Sequence, residues 1–236
     1  MSVADKDTTA LRTPMDPLRK TALAAGVFYL LTFVSIPTLS LYAAVRGPNY
    51  VTGPGPDGPV VLGGVLEMVV ALACMGTAVV LYPVVKRQNE AVALGFVAVR
   101  ALEAALIVAG IASLLSVVTL RQSGAGADAL VPAQALVALH DWAFVLGQST
   151  LPAVNALLLG SLLYRSRLVP RVLPLLGLCG APLLAGSVLA TLFGLWEQGS
   201  PPAAIAALPI ALWEFSLGIW LVVKGFNQAN TLPRTP

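Results

Sequence analysis

The sequence predicts an all-α fold, a polytopic transmembrane bundle of six helices with both termini in the cytoplasm. Its 236 residues are 57% hydrophobic and only 11% charged, with a mean hydropathy of +0.84, whereas soluble domains have about 25% charged residues. Six apolar runs are long enough to cross a hydrocarbon core roughly 30 Å thick. The basic residues gather at the ends of these runs. Lipid is the solvent that suits such a composition.

The placement of charge argues against a nucleic-acid partner, although the net charge is +3 and the pI is about 9.1. Basic side chains at the ends of apolar runs are typical of topology signals, not of a basic binding patch. We therefore expect the lipid bilayer as the partner and no nucleic acid. The sequence specifies neither a small-molecule ligand nor an oligomeric state.

One transmembrane domain is expected over residues 18–226, between polar tails at 1–17 and 227–236 that we expect to be disordered. Charged or Pro/Gly-rich segments separate the apolar runs and set the helix boundaries. We predict six helices, at about 21–45, 60–85, 92–120, 134–164, 172–195 and 203–223.

Two of the predicted helices should be irregular. Pro37 in the first leaves the carbonyl of Phe33 without its helical donor, so we expect a kink there. The fourth apolar run extends over 36 residues, which would give a straight helix of ~54 Å, longer than the membrane is thick. Either its first turns project beyond the membrane, or it bends at Pro152, which frees the carbonyl of Gln148.

The basic residues orient the bundle. Eleven of the 14 lysines and arginines fall on the side that carries both termini, and only Arg46 and Arg121 fall on the other. Arg100 lies within the third helix. We expect the protein to lie in the cell membrane. By the positive-inside rule, both termini should then lie in the cytoplasm.

The membrane-spanning runs contain eight polar residues that we take as candidate site residues. Counting inward from the cytoplasmic ends places three of them near mid-membrane, two within the fourth helix, and three toward the outer boundary. In that order they are Arg100, Glu103 and Glu214; Gln148 and Asn155; and Glu67, His140 and Asp141.

Arg100 and Glu103 are three residues apart and so share a helix face. A charge in the membrane costs roughly 2.5–3.5 kcal/mol unless it is paired inside protein. Glu214 also requires a partner, and Arg100 is the only cation at its depth. Two carboxylates and one guanidinium leave one negative charge, so we expect one glutamate to be protonated unless a ligand cation is bound. The cluster is either an ion pair that fixes packing or a ligand site.

No cofactor and no metal are expected. A zinc site would require His140 with carboxylates such as Asp141 and Glu67, and a single histidine excludes bis-histidine haem. Nucleophile-elbow, phosphate-loop and metalloprotease motifs are absent from the sequence. Cys74 and Cys179 lie in apolar runs without a Cys-x-x-Cys motif, so we expect buried, inert thiols.

Three long stretches resemble a bacterial membrane family known as domain of unknown function 4386. They are LYPVVKRQNEAVALGFVAVRALEAALIVAG (81–110), HDWAFVLGQSTLPAVNALLLGSLLYRSRLVPRVLPLLGLCGAPLL (140–184) and PIALWEFSLGIWLVVKGF (209–226). These stretches include Arg100 and Glu103, His140, Asp141 and Asn155, and Glu214. The resemblance implies a membrane protein and assigns no role to any residue, because the family has no assigned activity.

Three functional classes stay open for this integral membrane protein with a buried ionic cluster. The first is a small transporter or binding protein with an outward-facing polar cavity. The second is an intramembrane enzyme acting on a lipid, and the third is a non-catalytic partner or sensor. A water-accessible cavity that reaches Arg100 from outside favours the first two classes, whereas a dry interior with Arg100 bonded to both glutamates favours the third.

Overall fold

A computed structural model of the chain describes residues 15–227, and this part consists of helices and connecting turns. Six segments in it are long and apolar enough to span a membrane, which confirms the predicted all-α transmembrane bundle. The α-helices are α1 (Pro17–Leu31), α2 (Thr38–Leu41), α3 (Gly58–Val85), α4 (Glu90–Gln122), α5 (Leu130–Phe144), α6 (Leu151–Ser166), α7 (Val172–Leu192) and α8 (Pro201–Val223).

Close helix packing organises the bundle: α3 lies along α4, α7 along both α6 and α8, and α1 along α8. Small residues allow such close approach in membranes. At the α1–α8 contact, a Cβ placed on Gly26 would come within 2.7 Å of the Gly218 carbonyl oxygen. Arg19 adds a polar tie, because its Nη1 donates to the Leu221 carbonyl oxygen at 2.8 Å. A cation there also suits the negative end of the α8 dipole.

The first span is broken, not kinked. Its helix begins at Pro17, with the Asp16 side chain as N-cap, and α1 ends at Leu31. A 3₁₀ turn at Thr32–Ser35 follows before the short α2. The Ile36 N–H donates to the Phe33 carbonyl at 3.2 Å, so the 3₁₀ turn satisfies the group that proline leaves free. The prediction of one kinked helix over 21–45 is therefore wrong in both bounds and continuity.

The fourth span changes its helical pitch in the middle. A π-helical segment at Val145–Thr150 separates α5 from α6, just before Pro152. Proline has no N–H for the preceding turn, which widens at that point. The early turns of this span also pack on the loop between α2 and α3, where Ala133 and Val51 share one apolar cluster. The expected disturbance near Pro152 takes the form of a π segment, and the projection of the first turns beyond the membrane stays a prediction.

Other helix ends move by a few residues from their predicted positions. Asn89 caps α4, accepting the Val92 N–H at 3.1 Å, so the third span begins at residue 90 and not at 92. The third span ends at residue 122 and not at 120, and α3 begins at 58 and not at 60. Helix α7 ends at 192 and not at 195, and α8 begins at 201 and not at 203. The fourth span, predicted from 134, starts with a 3₁₀ turn at Gly126–Ala129 and ends at 166.

The predicted tails are corrected where the described residues reach them. Pro17, placed in the N-terminal tail, is the first residue of α1. Asn227, placed in the C-terminal tail, is ordered: its N–H donates to the Leu168 carbonyl at 2.8 Å. The rest of both tails, 1–14 and 228–236, lies outside the described residues. Cys74 is buried as expected, but Cys179 is exposed, because it points outward from α7.

Candidate functional site

The centre of the bundle holds an ionic cluster of Arg100, Glu103, Glu214 and Asn155, contributed by α4, α8 and α6. The Arg100 side chain is 1% exposed; its Nη1 donates to Glu103 Oε2 at 3.0 Å and its Nη2 to Glu214 Oε1 at 2.8 Å. Asn155 Nδ2 also donates to Glu103 Oε2, at 2.8 Å. One guanidinium thus holds two carboxylates from different helices.

Aromatic rings and a thiol complete the surroundings of Arg100. Its Cζ lies 5.3 Å from the Tyr29 ring centroid and 5.9 Å from that of Phe96, within reach of cation–π attraction. Arg100 Nη1 also donates to the Cys74 sulfur at 3.5 Å. These contacts do not follow from the sequence. Each of the three residues lies in an apolar run, where sequence alone does not distinguish a contact with Arg100 from ordinary helix packing.

The charge of the cluster is one negative unit when both carboxylates are ionised. Arg100 hydrogen-bonds one oxygen of Glu214, and the Glu214 side chain is 12% exposed whereas that of Glu103 is 5% exposed. Glu214 is therefore the more accessible acid. A proton or a ligand cation beside Glu214 would neutralise the cluster.

A cavity of about 240 Å³ reaches the cluster, and Arg100, Glu103 and Glu214 line it. The irregular backbone supplies much of its remaining wall. Thr32 and Phe33 come from the 3₁₀ turn of the first span, whereas Gln148 and Ser149 come from the π segment of the fourth. We call this space the central cavity. Its wall includes acidic side chains and is otherwise mainly apolar.

A second buried group, the Glu67 cluster, consists of Tyr42, Glu67, His140 and Gln148. The Tyr42 hydroxyl donates to Glu67 Oε2 at 3.1 Å, and the Tyr42 ring stands edge-on to His140 at 5.3 Å between centroids. Glu67 and His140 are each 2% exposed. Gln148 interacts with the Glu67 carboxylate and also lines the central cavity. Tyr42 could not be identified as a site residue from sequence, because it lies in an apolar run predicted to be one helix.

Asp141 is partly exposed and touches the Glu67 cluster through His140. Its side chain is 42% exposed and pairs with Arg46 at 2.8 Å, while His140 Nδ1 lies 3.2 Å from the same oxygen. At a spacing of seven residues, Asp141, Gln148 and Asn155 would share one face of a regular α-helix. The π segment between them changes the angular register of the helix. The three side chains consequently occupy three different environments.

A further ion pair closes the loop between α2 and α3. Arg121 donates from Nε to Asp57 Oδ1 at 2.6 Å and from Nη2 to Oδ2 of the same carboxylate. The Tyr50 hydroxyl donates to Asp57 Oδ1 at 2.6 Å. These hydrogen bonds, chiefly those from Arg121, hold the pKa of Asp57 well below its usual range. The loop is thereby tied to the end of α4.

Among residues 15–227, no group of three histidine, cysteine or acidic side chains is placed to hold a metal ion. The chemistry that the central cavity offers is proton exchange at carboxylates and electrostatic attraction of a cation. Neither requires a nucleophile.

Comparison with protein families gives one match. The model of the family described as Domain of unknown function (DUF4386) matches residues 24–225, which is most of the chain. The chain belongs to this family. No curated protein and no solved structure matches it.

Proposed function

We propose that this family member is a small-molecule-binding membrane protein, of the transporter or receptor type, whose central cavity takes a small organic cation. The observation that carries the proposal is the position of Glu214. Its carboxylate lines the central cavity while it belongs to a cluster with one more acid than base.

Size and wall chemistry support the choice of an organic cation. The central cavity, at about 240 Å³, is below the roughly 300–1,000 Å³ typical of sites for drug-sized ligands, so the ligand is small. Phe33 and Phe144 contribute aromatic rings to the wall, and the faces of such rings attract cations. An ammonium group beside Glu214 would meet both features.

The other functional classes have less support. Arg100 does bond both glutamates, as a cluster that only fixes packing would. Such a cluster would require no cavity beside it, however, and here the cavity reaches all three charged groups. For an intramembrane enzyme, a carboxylate base such as Glu214 is available, but the single histidine, His140, lies in the Glu67 cluster and does not line the central cavity.

We also propose that the protein lies in the bacterial cell membrane with both termini in the cytoplasm. The distribution of basic residues supports this orientation. The turn at Ser123 would then face outward and the turn at Gln88 inward. In a protein with both native cysteines replaced, a membrane-impermeant maleimide should label Ser123→Cys but not Gln88→Cys on intact cells. The reverse pattern would contradict the orientation.

Binding of phenethylammonium tests the proposed ligand class, with 2-phenylethanol as its uncharged counterpart. The purified protein should bind the amine in preference to the alcohol, and Glu214→Gln should weaken amine binding at least tenfold, about 1.4 kcal/mol. Glu90→Gln is the matched control. Glu90 lies at the start of α4, away from the cluster, where it accepts a hydrogen bond from the exposed Tyr82 hydroxyl. Equal affinity for amine and alcohol, or unchanged binding by Glu214→Gln, would contradict the proposal.

A further inference from the structure

We infer that the natural ligand is an amphiphile, with a cationic head group at Glu214 and an alkyl tail in a second cavity that opens toward the lipid. This inference rests on the proposed function and extends it to a substrate class and a route of access. The second cavity, which we call the vestibule, has a volume of about 270 Å³.

The vestibule adjoins the central cavity. Phe144, Ser149, Leu184 and Ala207 line both spaces. These four residues form the wall that the two cavities share. A ligand longer than the central cavity would extend past them into the vestibule.

The vestibule is lined for a hydrocarbon chain. None of its described lining residues is charged. Four are uncharged polar residues, and the others are apolar residues or glycine, including Val145, Leu184 and Val188. A mainly apolar wall of this kind stabilises an alkyl tail and offers no oppositely charged partner to a second ionised group. The two cavities together form a site that is acidic at the inner end and apolar at the outer end. This polarity matches that of a cationic amphiphile.

The rim of the vestibule lies where apolar side chains are exposed. Leu39, on α2, lines the vestibule and is 69% exposed. The loop after α7 supplies Gln198 to the wall, and Phe193 and Leu195 in that loop are 80% and 76% exposed. In a membrane protein, such surfaces face lipid or its interface. An amphiphile dissolved in the bilayer would meet the rim directly.

The break in the first span explains why an opening exists on this side. Before the break α1 packs along both α8 and α3, whereas after it α2 packs on α3. The first span thus leaves α8 at Thr32–Ser35. Leu39 from the first span and Ala204 from α8 both line the vestibule, which occupies the space between them.

Displacement of bound phenethylammonium in lipid nanodiscs tests the inference, with n-butylammonium and n-dodecylammonium as competitors. Empty nanodiscs correct for partitioning into lipid. The vestibule-filling variants are Ala203→Phe and Ala204→Phe, and the control is Ala109→Phe at an exposed position on α4. We expect both vestibule variants to weaken dodecylammonium at least tenfold while leaving butylammonium within about twofold, and the control to change neither.

Retained butylammonium binding also shows that each variant is folded. Equal effects on the short and the long amine, or no effect on either, would overturn the amphiphile assignment while leaving the cation site intact. Unchanged butylammonium binding by Glu214→Gln would instead overturn the proposed function itself.

Discussion

Replacing Arg100 by methionine should destabilise the bundle strongly. The substitution preserves apolar volume but leaves Glu103 and Glu214, previously held at 3.0 and 2.8 Å from the guanidinium, without a cation. Removing one partner of a buried ion pair costs about 3–5 kcal/mol. Since Glu214 faces the central cavity, protonation relieves part of this cost, and we expect about 3 kcal/mol.

Thermal unfolding in detergent, followed by intrinsic tryptophan fluorescence, measures the effect. For a domain of this size, each kcal/mol changes the Tm by about 2–4 °C, so Arg100→Met should lower the Tm by roughly 6–12 °C. The triple variant Arg100→Met/Glu103→Gln/Glu214→Gln removes the unpaired charges and should recover most of the loss without regaining amine binding. A wild-type Tm for Arg100→Met would refute the view that this cluster joins α4 to α8.

Two further predictions concern packing and the loop between α2 and α3. Gly26→Ala places a Cβ 2.7 Å from the backbone of α8 and should cost about 1–3 kcal/mol of stability by overpacking. Gly186→Ala is the control, because no atom lies within 4 Å of its Cβ. Equal Tm values for the two variants would contradict this contact. Because the folded-state pKa of Asp57 is lowered by Arg121, its contribution to stability is present above the ordinary aspartate pKa of about 3.9 and is lost as the pH falls below it. The Tm of wild type should therefore exceed that of Asp57→Asn at pH 6, and the difference should shrink below about pH 4; a difference independent of pH would contradict the assignment.

The sequence predicts the spans and one long-range pairing well, for identifiable physical reasons. Hydropathy and charge locate all six spans because lipid requires long apolar helices with polar ends. The partner of Glu214 also follows from sequence, since Arg100 is the only cation at mid-membrane depth. The structure places these two side chains 2.8 Å apart.

The cavities could not be predicted in the same way. Proline patterns indicate that Pro37 and Pro152 disturb their helices, but not that one disturbance becomes a 3₁₀ break and the other a π segment. That outcome depends on which neighbouring helices pack against each turn. The central cavity lies between these two irregular segments, so its existence is a property of the packed bundle and not of any single stretch.

The most direct test of the cation site is a crystal structure of the protein with bound 4-bromophenethylammonium. The anomalous signal of bromine locates the ligand and fixes which way round it lies. We expect the bromine in the central cavity and the ammonium nitrogen within about 2.7–3.2 Å of a Glu214 carboxylate oxygen, the usual hydrogen-bond range. Bromine outside the central cavity, or an ammonium group placed at Glu67 and not at Glu214, would contradict the proposed function.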